Sequence, residues 1–257
     1  MSFAGFACEL ADAARLVTLP AAAAAIGAED KNPDGAFDPV TDADRGAERA
    51  IRALIETRFP DHGIAGEEYG IVRGDAEHVW SLDPIDGTRS FICGLPSWTT
   101  LIALLRGGEP VVGLIDVPVL GERYLGWEGG GTLIRGEAET PLATSGCRRL
   151  AEARLSTTDP YLFAGREADA FERLRRATRV ARYGLDAYAY ARLAAGGIDV
   201  VAETLLKPHD YHALIPVVRA AGGVIGNWRG EDDFSDGQVL AAATRELFDE
   251  AVAVLAL

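Results

Sequence analysis

Two aspartates, Asp83 and Asp86, stand three residues apart in "VWSLDPIDGTRSF", where an apolar run stops. Carboxylates held close repel unless a proton or a cation separates them, and clustered oxygen ligands are what Mg2+ selects. Pro84 has no N–H to give a sheet ladder and Gly87 frees the backbone, so "DPIDGT" is predicted to turn at the end of a strand "HVWSL". Both carboxylates can then point into one space. Taken alone, the motif suits a solvated turn or a helix cap equally well.

Two further acidic elements share this chemistry. In "GIAGEEYG" the adjacent Glu67 and Glu68 are flanked by glycines that permit close backbone approach. In "LLKPHDYHALIPVVRAAGGVI" Asp210 follows Pro208 at the start of an apolar helix. Each has a simpler reading, as surface glutamates or as an N-cap favoured on backbone grounds. His209 and His212 lie at the same helix start, but hard Mg2+ disfavours imidazole, which points them to structural or supporting roles.

Several elements must carry these residues. Residues 2–19 place Phe6, Leu10, Ala13, Ala14 and Val17 at helical spacing, and Pro20 is expected to end or disrupt that helix. A loop at 30–39 rich in Asp, Asn, Pro and Gly leads to a second helix, capped by Thr41 or Asp42, striped by Ala47, Ile51, Leu54 and Ile55, and stopping near Phe59. From 79 to 134, short apolar runs alternate with turn signals, which predicts a largely antiparallel sheet. Beyond about 145 the pattern is mixed. Strands are expected near "ARLSTT", "TRVARY", "IDVVAE", "GGVIG" and "GQVLAAAT", with helices at 166–177, 186–195, 210–221 and 245–254. An α+β first half, 1–140, thus precedes an α/β second half, 141–257, with the boundary between 135 and 150.

Composition narrows the partners. The 257 residues are 48% hydrophobic, enough for a sizeable core. The formal charge of −14 argues against general affinity for nucleic acid or anionic membrane, and an anionic substrate would need cations to help bind it. No apolar run reaches membrane-spanning length and the N-terminus lacks a basic start, so a cytoplasmic protein is expected. Cys8, Cys93 and Cys147, odd in number and widely spaced, suit reduced thiols. The arginines between 148 and 182 read as solvated helix faces paired with glutamates.

Taken together, "PVTDADRGAE", "GEEYG", "LDPIDGTRSF" and an acidic residue opening a helix into "AAGGVI" resemble, in order and over nearly the whole chain, the inositol monophosphatase superfamily of Mg2+-dependent, lithium-sensitive phosphatases. Within it, "LDPIDGTRSFICGLPSWTTLIAL", "YGLDAYAYARLAAGGIDVVAE" and "LKPHDYHALIPVVRAAGGVIGNWRG" are most similar to histidinol-phosphate phosphatases of that type. Inositol monophosphatases usually carry tryptophan before the third metal aspartate, where this chain has Lys207, Pro208 and His209.

The resemblance implies a layered αβαβα sandwich, two or three Mg2+ ions with Mn2+ as a substitute, and a homodimer. It makes Glu67, Asp83, the carbonyl of Ile85, Asp86 and Asp210 the metal ligands, with Asp83 bridging. Thr88 and Asp44 would position and deprotonate the attacking water, activated by the metal at Glu67, so that these three carry catalysis. Amides of Gly87 and Thr88 would bind phosphate. Asp186 and Glu203 would face the organic part of the substrate, where negative charge suits an amine and an imidazole; the alternative is that they only cap a helix and end a strand. The implied reaction is hydrolysis of histidinol phosphate. Inositol-1-phosphate or a broader set of sugar phosphates and nucleotides is the enzymatic alternative, and a catalytically silent metal-binding relative the non-enzymatic one.

Overall fold

The computed structural model describes residues 2–24, 29–30 and 39–256. The chain opens with α1 (Phe3–Ala22), capped by Ser2, and continues through a two-residue pair, β1 (Glu29–Asp30) against β2 (Pro39–Val40), into α2 (Asp42–Arg58). Pro20 does not end α1, which runs two residues beyond it; the missing N–H removes the ladder bond to the Leu16 carbonyl without stopping the helix. Most of the expected 30–39 loop lies outside the described residues.

An eight-stranded sheet follows, built from β3 (Gly63–Gly66), β4 (Gly70–Val72), β5 (His78–Asp86), β6 (Thr99–Arg106), β7 (Glu109–Val117), β8 (Glu122–Trp127), β9 (Gly130–Arg135) and β10 (Ala138–Pro141). Its order is β10-β9-β8-β7-β6-β5-β3-β4, antiparallel except for the β3–β5 pair, and the short helix α3 (Thr88–Ile92) leaves the end of β5. A second, five-stranded sheet has the order β12-β11-β13-β15-β14, from β11 (Arg154–Thr157), β12 (Val180–Tyr183), β13 (Val200–Glu203), β14 (Val224–Gly226) and β15 (Val239–Ala242). Its helices are α4 (Arg166–Ala177), α5 (Tyr188–Ala194), α6 (Pro208–Tyr211), α7 (Leu214–Ala220) and α8 (Arg245–Leu255).

The five layers follow from which faces are apolar. Along β6, Ile102 and Leu104 pack under α1 and α2 with Phe6, Leu10, Ile51 and Trp80, while Leu101, Ala103 and Leu105 face the opposite way. That period-2 alternation buries both faces of the large sheet. The second face meets Tyr190 and Leu193 of α5 and Leu214 and Val217 of α7, which lie in turn on Val201 and Ala241 of the small sheet. Helices α4 and α8 cover the far side through Phe171, Leu174, Leu247 and Phe248. The result is the expected αβαβα sandwich. Helix α7 presses directly on the large sheet because Gly113 and Gly126 carry no side chain: a Cβ on them would meet the Ala213 and Pro216 carbonyl oxygens at 2.2 and 2.4 Å.

The helix expected over 210–221 starts two residues early and breaks between α6 and α7, so Asp210 sits inside the first turn of α6. The helix expected from 186 starts at Tyr188 and leaves Asp186 outside with φ +47°. All three cysteines are free thiols. Among the expected arginine–glutamate pairs, Arg175 and Arg176 both bind Glu172. No helix among the described residues is long and apolar enough to cross a membrane.

Candidate metal and phosphate site

The carboxylate pair is made by a fault in the sheet. The strand does not stop at Leu82 as expected, but runs through Pro84 to Asp86. Asp83 pairs with Leu101 and Asp86 with Thr99, so three steps on β5 match two on β6. Residues three apart on a regular strand face opposite sides; the extra residue reverses that parity and turns both carboxylates the same way. Pro84 occupies the irregularity, where its missing N–H leaves no gap in the ladder. Its carbonyl accepts from Thr100 Oγ1 at 2.8 Å, and Asp83 Oδ1 accepts the Ile85 N–H at 3.1 Å. Asp86 Oδ2 accepts from Thr99 Oγ1 at 3.0 Å and from the Ala187 N–H at 2.8 Å, tying the large sheet to the start of α5.

Asp210 completes the group: one ligand oxygen from each of Asp83, Asp86 and Asp210 lies within 4.8 Å of the other two. Asp210 is not the N-cap expected from the sequence: Lys207 is, and Asp210, in the first turn of α6, accepts the Lys207 N–H on Oδ2 at 2.7 Å. Glu67, in the β3–β4 turn, lines the same cavity of about 400 Å³, together with Ile85, Gly87, Thr88, Asp186 and Glu203. Asp44 does not line it. Its carboxylate is buried at the start of α2, where Oδ2 accepts from the N–H and hydroxyl of Thr41. Thr88 Oγ1 donates to the Ile85 carbonyl at 3.1 Å, and no hydrogen bond joins Thr88 to Asp44 among the described residues.

Electrostatics mark the cluster. Burial, then the charges of Glu67, Asp86, Asp210 and Asp44, holds the Asp83 carboxyl well above the usual range. Asp86 is raised by burial and by Asp186 and Asp210, and Asp210 and Asp44 are raised chiefly by burial. Asp186 is also raised by burial; its carboxylate accepts from Ser90 Oγ at 3.3 Å and crowds Gly87, where a Cβ would stand 2.8 Å from Asp186 Oδ2. Gly87 has φ +79°, so both its backbone and its neighbour demand the missing side chain. Glu203 accepts from Thr157 Oγ1 and from the N–H and hydroxyl of Thr158, and burial pushes it up to about 8. Its carboxyl therefore favours the protonated form near neutral pH, and a cation nearby would favour the charged one. His212 bonds Ser81 Oγ at 3.0 Å and is pushed down to about 4, by burial first, which fits a supporting role.

Two contributors escaped the sequence reading. Buried Glu48 on α2 accepts the Glu68 and Tyr69 N–H groups at 2.8 and 3.2 Å and so fixes the turn that carries Glu67. The signal was present: Asp44, Glu48 and Arg52 recur every four residues and form a polar stripe beside the apolar one. Tyr190, which lines the cavity, has a buried hydroxyl with no hydrogen-bond partner among the described residues, and nothing in the sequence marked it.

The residues fit a hard divalent cation. The donors are oxygens, they converge, they are mutually repulsive, and no arginine or lysine forms an ion pair with Asp83, Asp86 or Asp210 among the described residues. Carboxylates gathered at a strand end and a helix start of a layered αβαβα sandwich make a site able to hold a divalent metal ion. The profile of the inositol monophosphatase family matches residues 2–256, and the chain belongs to that family.

Among its relatives, the Arabidopsis thaliana chloroplastic bifunctional phosphatase IMPL2 is 46% identical over 81% of this chain, which spans 60% of that protein's length. A Chlorobaculum parvum histidinol-phosphatase is 34% identical over 84% of this chain and 83% of its own length. The solved structure of an inositol monophosphatase from Zymomonas mobilis superposes with a TM-score of 0.87 at 38% identity, covering 99% of this chain and 97% of that one.

Proposed function

We propose that this chain is a Mg2+-dependent phosphate monoester hydrolase that converts L-histidinol phosphate and water to L-histidinol and phosphate, in histidine biosynthesis. The observation that carries the substrate is the second pair of acids, Asp186 and Glu203, on the wall of the cavity that also holds Asp83, Asp86 and Asp210. Histidinol phosphate bears its ammonium on the carbon next to the ester-bearing one, so an acid beside the phosphate pocket suits it. Asp186, pressed against Gly87, is such an acid, and Glu203 lies within its field for the more distant imidazole. Relatives named histidinol-phosphatase support the same reading.

In this reading Glu67, Asp83, Asp86, Asp210 and the Ile85 carbonyl hold two or three Mg2+ ions, with Mn2+ able to substitute. Bound there, the ions supply charge neutralisation at phosphorus and a water acidic enough to attack. Asp83, which lies in the field of both Glu67 and Asp86, would be a ligand shared between the two groups of acids. Amides of Gly87 and Thr88 hold phosphate oxygens at the bend, which an added side chain would obstruct. Thr88 Oγ gives its proton to Ile85 O and keeps lone pairs with which to accept a hydrogen bond from the attacking water. Asp44 biases Glu67 and Asp83 through its field and holds the start of α2, with no hydrogen bond to Thr88 among the described residues. Lithium inhibition and a homodimer belong to the same reading.

The test is steady-state phosphate release from histidinol phosphate, inositol 1-phosphate, a sugar phosphate and a nucleotide, with Mg2+ and with chelator. Histidinol phosphate should give the highest kcat/KM, and chelator should abolish turnover. Parity with inositol phosphate would sink the substrate; no release from any ester would favour a silent metal-binding relative.

A further inference from the structure

The cavity carries Glu67, Asp83, Asp86, Asp186, Glu203 and Asp210 on its walls, in a chain of formal charge −14. The metal ions of the phosphatase reading would offset the acids around them, but a phosphate dianion still approaches through the field of a strongly acidic chain, which a cation at the mouth relieves. The arginine or lysine side chains on the wall are those of Arg89 and Lys207. Arg89 is drawn to Asp159, 4.0 Å away, and lies in the field of Asp186. Lys207 is exposed, and its ammonium makes no ion pair or hydrogen bond among the described residues.

The chain uses arginine for nearly all its positive charge: of 25 basic residues only Lys31 and Lys207 are lysines. Arginine's rigid fork would lock onto the wall carboxylates in pairs, whereas a compact ammonium on a flexible stem stays available to an incoming anion. The backbone that presents Lys207 is closely held. Leu205, two residues before it, is left-handed at φ +64° and 65% exposed, a conformation costly for any side chain and found where surrounding structure enforces it. The enforcing contacts are the Leu206 N–H on the Gly237 carbonyl at 3.1 Å and the Lys207 N–H on Asp210 Oδ2 at 2.7 Å. The second of these fixes Lys207 to a member of the acidic cluster through its main chain, and its ammonium lies in the field of Asp210 without pairing to it directly among the described residues.

We propose that the Lys207 ammonium is the residue that captures the phosphate dianion, of substrate on entry and of product before release. The proposal rests on the phosphatase reading but not on the identity of the alcohol. Its test uses the full-length Mg2+-loaded protein, as wild type, Lys207→Met and Lys207→Arg, with inorganic phosphate as the calorimetric probe and phenyl phosphate as the substrate.

Lys207→Met should weaken phosphate binding and raise KM by roughly three- to tenfold at low salt, the range of a partly exposed charge-assisted contact, with kcat little changed. The difference should shrink as salt is raised towards the regime where the Debye length falls to a few ångströms. Lys207→Arg should restore only part of the loss, because its fork is drawn to the wall carboxylates. Mg2+ affinity should hold or improve, because a positive neighbour is gone, which separates this role from a structural one. Phosphate affinity within about twofold of wild type at low salt, or a parallel loss of Mg2+ binding, would overturn it. If wild type cleaves no ester, the phosphatase reading fails, and the phosphate titration still decides Lys207 by the same criterion.

Discussion

Replacing Glu203 with Gln isolates one buried acid of the substrate wall. The side chain is 3% exposed and its carboxyl titrates near 8 instead of near 4.5. The folded protein therefore holds a proton that the unfolded chain releases above pH 4.5, so this residue's contribution falls as pH rises and levels off near 8. At 1.36 kcal/mol per unit, the two and a half units from 4.5 to 7 amount to about 3 kcal/mol of stability withheld at neutral pH, as an order of magnitude. Glutamine matches the protonated acid in shape. Its carbonyl can accept from Thr158, and its amide can donate to Thr157 Oγ1, whose hydroxyl is free to turn. Urea unfolding in chelator should find Glu203→Gln close to wild type at pH 4.5 and progressively more stable through pH 7, with unchanged m-values. A stability difference that is flat with pH would refute the reasoning, as would a variant less stable than wild type at pH 7.

Other outcomes follow from the same geometry. Asp83→Asn and Asp210→Asn should each cut Mg2+-dependent turnover by about two orders of magnitude or more, yet raise the melting temperature of the metal-free protein at pH 7, since each removes a buried like charge. Mg2+ should raise the melting temperature of wild type in a concentration-dependent way, and do so far less in Asp83→Asn. Gly87→Ala should lose roughly 1–2 kcal/mol in urea unfolding, from the left-handed backbone and the approach to Asp186, and lose activity with it. Asp186→Ala should raise KM for histidinol phosphate by roughly tenfold and for phenyl phosphate by less than about twofold; equal effects on both would remove the ammonium contact.

Much of this was legible in the sequence, because local chemistry decided it. Thr41, the apolar stripe on α2 and Pro60 delimit that helix correctly, and α4 and α8 fall within a residue of their expected ends. The three acidic segments do meet. What was hidden depends on contacts distant in sequence. The irregularity that turns Asp83 and Asp86 to one side exists only through the pairing of β5 with β6, so the sequence suggested a turn where the strand runs on. Asp186 looked like a helix cap, but its left-handed backbone takes it out of α5 and against Gly87 and Ser90. The state of Glu203 depends on how deeply β13 is covered, which no local pattern encodes.

The most direct test of the central claim, that Asp83, Asp86 and Asp210 converge on a hard metal ion, is anomalous scattering from crystals grown with Mn2+ and phosphate. The account predicts a strong peak at about 2.0–2.3 Å from an oxygen of each of the three aspartates, with phosphate density between it and the Gly87–Thr88 amides. A cluster free of any peak, or manganese held instead by His209 and His212, would contradict it.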